Sequence, residues 1–435
     1  MVTYSLIDVL RGTNVVKEYN NITKEVAQGN DFLEHRRQEK LVKLFKDLSN
    51  HPFYKNQLNG FDQKTIASDP YKVLLSMPLT SKHEIASKPD WFTEIEPQHL
   101  YEKSFTGGST GTPFTYYLSK YSISRILGFN YFLWNHFLGY QLGDKILAVG
   151  GGTFGKNPSF KIKVYNYLQR KYFIPGDIIN KHMIDEGFKL LFDTKYDFIY
   201  AFTSPLEFFV DEAIKRNIPF KRKIKGVITV SEMLSDKTLQ KFRDYFKCEV
   251  LNCYGARDGG VMAAELKSLD NGFYYNFHDC IVESKVVDEK LGKSELILTS
   301  LGNSSFPFVR YRVGDIGTVE NYNSSFKLPC PKITNLEGRT RDLVHTRHGG
   351  VVHGSAFNAI LKSAKGISNY QIVQNADYNL EVRIHSIENN ISNEEITDLV
   401  RSIVQDPEIK IQVMLNPEFV SANNQKHKIV VSYVN

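Results

Sequence analysis

Hydrophobic positions in this chain recur with two different periods, and the period changes along its length. Between residues 30 and 50, Leu41, Leu44, Phe45 and Leu48 fall at i, i+3, i+4 and i+7, the spacing of one helical face. Met77-Pro78-Leu79-Thr80-Ser81-Lys82 then reads as a proline-containing entry to another segment. From about residue 145, short apolar runs of strand character appear at Lys145–Val149, Phe198–Phe202, Gly226–Val230 and Glu249–Cys253. Helical patterns separate some of them, and Leu206, Phe209, Val210, Ala213 and Ile214 form one stripe. Strands alternating with helices predict a parallel sheet covered on both faces. Glu295–Thr299 and Thr318-Val319-Glu320 change to strand and turn, which predicts a smaller β-rich subdomain.

The pattern changes again after Leu336-Glu337-Gly338-Arg339. Residues 369–376, 380–386, 409–415 and 428–434 read as strands. A helix is expected over 393–404, announced by a capping box of Ser392 and Glu395, with Ile396, Leu399, Val400 and Ile403 on its apolar face. The expected fold class is therefore α/β. A large N-terminal domain, residues 1–340, has parallel-rich sheets flanked by helices plus a β-rich subdomain, and residues 341–435 form a small α+β C-terminal domain.

Composition narrows the function classes. A chain of 435 residues, 42% hydrophobic and 13% aromatic, can build sizeable cores in two or three domains. Lys and Arg (54) exceed Asp and Glu (48) by six, and the charges are spread along the chain rather than blocked into a tail. That balance points to no nucleic-acid partner. Cys248, Cys253, Cys280 and Cys330 are few and irregularly spaced, which fits a reducing compartment rather than a disulfide framework. Met1 to Asn14 lacks the basic-then-apolar pattern of a secretory signal, and no apolar run approaches the ~20 residues needed to cross a bilayer. The expectation is a cytoplasmic protein with no membrane insertion, either a monomer or a homodimer.

The densest chemical signal is Ser104-Phe105-Thr106-Gly107-Gly108-Ser109-Thr110-Gly111-Thr112-Pro113. Glycines and hydroxyl residues at this density let backbone N–H groups and hydroxyls close around a phosphate chain. No Gly-Lys-Ser/Thr follows at the spacing of a Walker A loop, and a flexible linker has the same composition. Asn252-Cys253-Tyr254-Gly255-Ala256-Arg257-Asp258 follows a predicted strand, and ligands of open α/β sheets bind at strand carboxyl ends. There a tyrosine can stack on a base and an aspartate can hold magnesium, although a glycine-rich turn with a core tyrosine reads the same. Phe308-Val309-Arg310-Tyr311-Arg312-Val313-Gly314-Asp315 ends a basic-aromatic run on a carboxylate able to take both hydroxyls of a ribose. It also fits a salt-bridged surface hairpin. Gly338-Arg339-Thr340-Arg341-Asp342 lies at the domain boundary, and Gln425-Lys426-His427-Lys428 precedes the final strand.

In order and spacing these segments resemble the adenylate-forming acyl ligases, and within them the phenylacetate-CoA ligase-like branch that includes CapK-type capsular polysaccharide proteins. The resemblance runs over residues 75–432, through Met77–Thr80, Thr106–Pro113, Val230-Ser231-Glu232-Met233-Leu234, Tyr254–Asp258, Arg310–Asp315, Gly338–Asp342 and Lys426. It implies two steps. A carboxylate attacks the α-phosphate of ATP, giving an acyl adenylate and releasing pyrophosphate, and a thiol or amine acceptor then displaces AMP from the acyl adenylate. By resemblance, Thr106, Gly107, Gly108, Ser109, Thr110 and Gly111 hold the phosphates. Ser231, Glu232, Tyr254, Gly255 and Asp315 bind the nucleoside, and Arg339 adds a contact to ribose or phosphate. Asp258 ligates Mg2+, and Lys426 bridges carboxylate and α-phosphate. Arg341 takes the hinge position about which the C-terminal domain moves as a lid. Phe202, Thr203 and Gly151 are acyl-pocket candidates at strand ends, although the glycine-rich run Val149–Gly155 that holds Gly151 could also approach the phosphates and reads equally as a tight strand-to-helix turn.

Three departures stand out. The family usually has Glu where this chain has Asp258, and Asp or Lys where it has Arg341. The Cys/His zinc knot of many relatives in this branch is replaced by Leu266 and Tyr274, so no structural zinc is expected and Cys330 reads as a small hydrophobe. His345, His348 and His353 are irregularly spaced and read as loop histidines. ATP and Mg2+ are the implied cofactors, with CoA as the family's usual acceptor and an amine or amino sugar of surface-polysaccharide assembly as the CapK-like one. Two other classes stay open: adenylyl transfer to a cofactor hydroxyl, as in coenzyme F390 synthetase-like relatives, and a catalytically degenerate binding protein.

Overall fold

A computed structural model describes residues 2–88, 91, 101–106, 114–150, 160–174, 181–256, 258–289, 292–303, 306–339, 343–347, 351–353, 357, 361, 367–386, 392–404, 406–420 and 430–434. Helices fill the first part of the chain, and Asn30–Leu48 buries the expected Leu41, Leu44, Phe45 and Leu48. A short hairpin follows, β1 (Tyr101–Thr106) with β2 (Phe114–Ser119). Then come β3 (Ile146–Val149), β4 (Lys171–Ile174), β5 (Phe198–Phe202), β6 (Gly226–Val230), β7 (Val250–Ala256), β8 (Val261–Glu265) and β9 (Phe273–Tyr275). They are followed by β10 (Cys280–Asp288), β11 (Lys293–Ser300), β12 (Tyr311–Glu320) and β13 (Lys332–Arg339).

These form one 11-stranded sheet in the order β10-β11-β12-β13-β9-β8-β7-β6-β5-β3-β4. The strands from β4 to β7 are parallel, as the alternation of strands and helices predicts. Runs such as Gly-Val-Ile-Thr-Val in β6 are apolar at nearly every position, because helices cover both faces. From β7 onward every pairing is antiparallel. The β-rich region read from residues 294–320 is thus the antiparallel half of the same sheet. The stripe on the Thr203–Lys215 helix buries Leu206, Phe209, Val210 and Ala213, but Ile214 is 51% exposed. Ile214 is one residue past Ala213 and turns about 100° away from the buried face, so it does not belong to the stripe.

Near the C-terminus, β14 (Leu343–His345) and β15 (Val351–His353) form a hairpin. His345 and His353 therefore lie on strands rather than in a loop. A four-stranded sheet has the order β18-β17-β16-β19, built from β16 (Ile367–Gln374), β17 (Leu380–Ser386), β18 (Ile411–Leu415) and β19 (Val430–Ser432). The Asn393–Val404 helix occupies the expected span, and Ser392 Oγ accepts from Glu395 N at 3.1 Å at its start. Ile396 and Val400 pack with Ile372, Val382 and Ile384 in a core of their own. Among the described residues no helix is long and apolar enough to cross a membrane.

The Lys120–Leu138 helix is buried almost all round and carries Arg125, only 3% exposed. Arg125 donates to Asp279 through Nε at 2.9 and 3.2 Å, to Glu18 through Nη1 at 3.2 Å, and to Glu25 through Nη2 at 2.8 Å. Lys40 Nζ adds a 2.6 Å contact to Asp279. Burial would raise the Asp279 pKa, but Arg125 and Lys40 outweigh it and hold the carboxyl well below its usual range. Guanidinium suits this position because its rigid fork can satisfy three carboxylates at once. The cluster joins the Val15–Ala27 and Asn30–Leu48 helices and the turn before β10 to the central helix.

Two predictions follow from these buried charges. Arg125→Ala should cost about 3–5 kcal/mol, because it leaves carboxylates buried without their partner. A loss under about 1 kcal/mol by urea unfolding would show that the cluster does not hold these helices together. Burial also lowers the His278 pKa from 6.5 to about 3, against the opposing pull of Asp279, and lowers that of His51 to about 4. Both rings are therefore neutral in the folded chain where the unfolded chain takes up protons, and stability should fall as pH drops through 6.5. Equal urea midpoints at pH 7 and pH 5 would contradict this.

Candidate active site

The carboxyl ends of β3, β5, β6 and β7 lie at one edge of the parallel half. Val149 pairs with Ala201, Phe202 with Val230, and Thr229 with Asn252. Gly150, Thr203, Ser231 and Tyr254 follow within one or two residues of these pairs, so the topology sets their positions side by side. Gly150 has φ +95°, and a Cβ there would come within 2.9 Å of Phe202 Cβ, so only glycine fits this strand end. Ser231 has φ +69°, a left-handed conformation unusual for serine, which turns the exposed Ser231-Glu232 pair out at the end of β6. Thr203 is buried as the first residue of its helix.

The segment Arg312–Ile316 is a bulge. Arg312 pairs with Ile297 and Ile316 with Glu295, so four steps along β12 run against two along β11. Bulges re-aim side chains, and here the irregular stretch contains Asp315. Asp315 is 7% exposed and accepts a hydrogen bond at 2.6 Å from the Tyr254 hydroxyl. In β13, Arg339 stands directly opposite Asp315 in the register. A second bond runs the other way: the buried Tyr311 hydroxyl donates to Asp258 Oδ2 at 3.0 Å. Each motif thus contributes one tyrosine and one aspartate to the other.

These bonds span the sheet. β7 and β12 are four places apart in strand order, with β8, β9 and β13 between them. In a flat sheet that is roughly 19 Å at about 4.8 Å per strand, beyond the reach of the side chains. The sheet must therefore curl, and it is narrowest at β9, which pairs through Lys332–Tyr274 and Ile333–Phe273 on one side and Ala263–Tyr275 and Ala264–Tyr274 on the other. The turn after β7 presses on β11, where a Cβ on Gly259 would lie 2.4 Å from Leu298 Cδ1.

Met77–Thr80 is part of the same assembly. Thr80 N donates to Arg310 O and Arg312 N to Thr80 O, both at 2.9 Å, and Thr80 Oγ1 donates to Val309 O at 2.9 Å. Arg310 grips Glu283 at 2.8 and 3.1 Å and donates to the carbonyls of Leu75 and Met77 at 2.7 Å. These contacts fix the backbone on both sides of Tyr311. Tyr311 and Arg125 carry no expected site role, and their partners lie 53 and at least 100 residues away in the chain. Tyr311 lies inside the run Phe308–Asp315 that the sequence singles out, but no local signal names its partner or those of Arg125.

Several expected residues cannot be placed. Gly107, Gly108, Ser109, Thr110, Gly111, Gly151, Arg341 and Lys426 lie outside the described residues, and Thr106 and Arg339 are described by backbone alone. The positions matched to the zinc knot are apolar core, with Leu266, Tyr274 and Cys330 buried in one cluster. Burial pushes the Cys330 thiol pKa up, as for a small hydrophobe.

No protein-family model matches the chain. A solved structure of 2-hydroxyisobutyryl-CoA ligase in the postadenylation state, with 2-HIB-AMP bound, superposes with a TM-score of 0.65. That match has 17% identity and covers 93% of this chain and 90% of the ligase. The chain has the fold of the adenylate-forming acyl ligases. O-succinylbenzoate coenzyme A synthetase (MenE) from Bacillus subtilis, solved with ATP and magnesium, matches at TM-score 0.51 and 11% identity over 77% of this chain and 70% of its own. By sequence, Protein CapK of Staphylococcus aureus is 24% identical over 376 residues, 82% of this chain and 79% of CapK. On this fold, the carboxyl edge of β3–β7 and the Tyr254–Asp315 pair form the candidate nucleotide site.

Proposed function

We propose that the protein is an ATP-dependent, AMP-forming carboxylate ligase. The observation that carries this reading is the Tyr254–Asp315 hydrogen bond at 2.6 Å, which joins an aromatic ring and a buried carboxylate at the ligand edge of this fold. The ring offers a face for adenine, and the carboxylate offers an acceptor for ribose hydroxyls. Ser231, Glu232 and Gly255 border the same edge, and Arg339 stands across from Asp315. Thr106 and Gly107–Gly111 supply N–H and O–H donors to the phosphates.

Asp258 fits a magnesium ligand. Tyr311 occupies Oδ2, and Oδ1 takes no hydrogen bond among the described residues. Magnesium held there neutralises charge on the phosphates during transfer. Lys426 draws the substrate carboxylate and α-phosphate together, a task that suits a compact point charge. The domain of residues 341–435 moves about Arg341 as a lid between the two steps. Phe202, Thr203 and Gly151 border the acyl pocket.

The acceptor is CoA or an amine, and the likeness to CapK favours an amino sugar in surface-polysaccharide assembly. Lys221-Arg222-Lys223-Ile224-Lys225 is a basic run that could meet a CoA phosphate, but part of it is engaged elsewhere: Lys225 pairs with Asp144 at 2.9 Å, and Arg222 lies over the Tyr196 ring at 4.4 Å. That leaves fewer cations there for a CoA phosphate. The reaction belongs in the cytoplasm, where ATP is available.

Acid-dependent ATP–pyrophosphate exchange across aryl, fatty, hydroxy and amino acids should give a signal with one class. Silence across the panel with intact ATP binding would remove the carboxylate-ligase reading. Lys426→Ala should lose exchange by about 100-fold or more, the scale of removing one preorganised transition-state contact, while keeping ATP affinity. Asp315→Ala should weaken ATP binding itself, and unchanged affinity would refute the ribose role.

A further inference from the structure

We infer that Tyr311 is a positioning residue that fixes the metal-binding carboxylate of Asp258. This rests on the assignment of Asp258 as the magnesium ligand. Aspartate is one methylene shorter than the glutamate usual in the resembled family, so its carboxylate reaches less far and tolerates less misdirection. Asp258 sits on a turn followed by Gly259 and Gly260, which contribute no side chain to brace it. The brace comes from β12. The Tyr311 hydroxyl donates to Oδ2 at 3.0 Å, which directs the carboxylate and leaves Oδ1 without a hydrogen bond among the described residues.

Tyr311 is itself held firmly. Its side chain is 1% exposed and packs edge-on against Phe308, with ring centroids 4.9 Å apart. Thr80 bonds the backbone on either side of it, and the Arg310 clamp to Glu283 secures the preceding residue. A hydroxyl on so rigid a ring can set the carboxylate's rotation where a mobile donor could not. Groups that orient metal ligands in this way typically change metal affinity by about 10–100-fold when removed.

The test is Mn2+ binding followed by electron paramagnetic resonance, with saturating α,β-methylene-ATP. Tyr311→Phe keeps the ring and its packing on Phe308 and removes only the hydroxyl. It should weaken Mn2+ binding by about 10-fold, with metal-free nucleotide affinity unchanged. Asp258→Ala should abolish Mn2+ binding at this site. Adding Asp258→Glu to Tyr311→Phe should restore affinity, since a longer carboxylate depends less on the tether. Wild-type Mn2+ affinity in Tyr311→Phe, with Asp258→Ala still defective, would overturn the positioning role alone. Wild-type affinity in Asp258→Ala would overturn the metal assignment beneath it.

Discussion

Two tyrosine–aspartate hydrogen bonds, running in opposite directions between β7 and β12, are the contact on which the candidate site depends. Tyr254 of β7 donates to Asp315 of β12, and Tyr311 of β12 donates to Asp258 just after β7. Strands four places apart can meet this way only if the sheet curls. The sheet is narrowest at β9, which pairs through two residues with each neighbour, and Gly259 allows the close approach to β11. O–H···O− bonds to ionised carboxylates are stronger than neutral ones, so each is an effective tie at the point of closest approach.

Behind this contact lies a charged layer that is structural. Arg125 connects three carboxylates from different parts of the chain to the central helix, and Lys40 adds a second cation. A small cavity is lined by both Arg125 and Asp258, so this layer reaches the candidate metal ligand. Ionic packing of this kind gives little net stability over an apolar core, but it penalises any arrangement that separates the partners. Here it would penalise displacement of the central helix from the helices and turn beside it.

The parallel and antiparallel halves of the sheet have different tasks. The parallel half supplies the strand ends at which Gly150, Thr203, Ser231 and Tyr254 line up. The antiparallel half supplies the bulge containing Asp315 and the rigid mount for Tyr311. One half thus presents the candidate ligand edge, and the other brings Asp315 to it.

Sequence alone determined much of the framework. Apolar runs placed β5 and β6 at their observed bounds, and the capping serine and apolar stripe placed the Asn393–Val404 helix. These elements are legible because burial on one face or both imposes a local period. The motifs that resemble the adenylate-forming ligases named Tyr254, Asp258 and Asp315, because their chemistry is written in short segments. Only the tertiary structure decided that Tyr254 meets Asp315, that Tyr311 meets Asp258, and that Arg125 is the centre of a charged cluster. It also decided that Met77–Thr80 braces the Arg310–Arg312 backbone. Those partners are distant in the chain, and nothing local records which strand a curled sheet will bring against another. Ile214 shows the same limit on a smaller scale: an apolar residue next to a buried stripe becomes surface when the helix turns it outward.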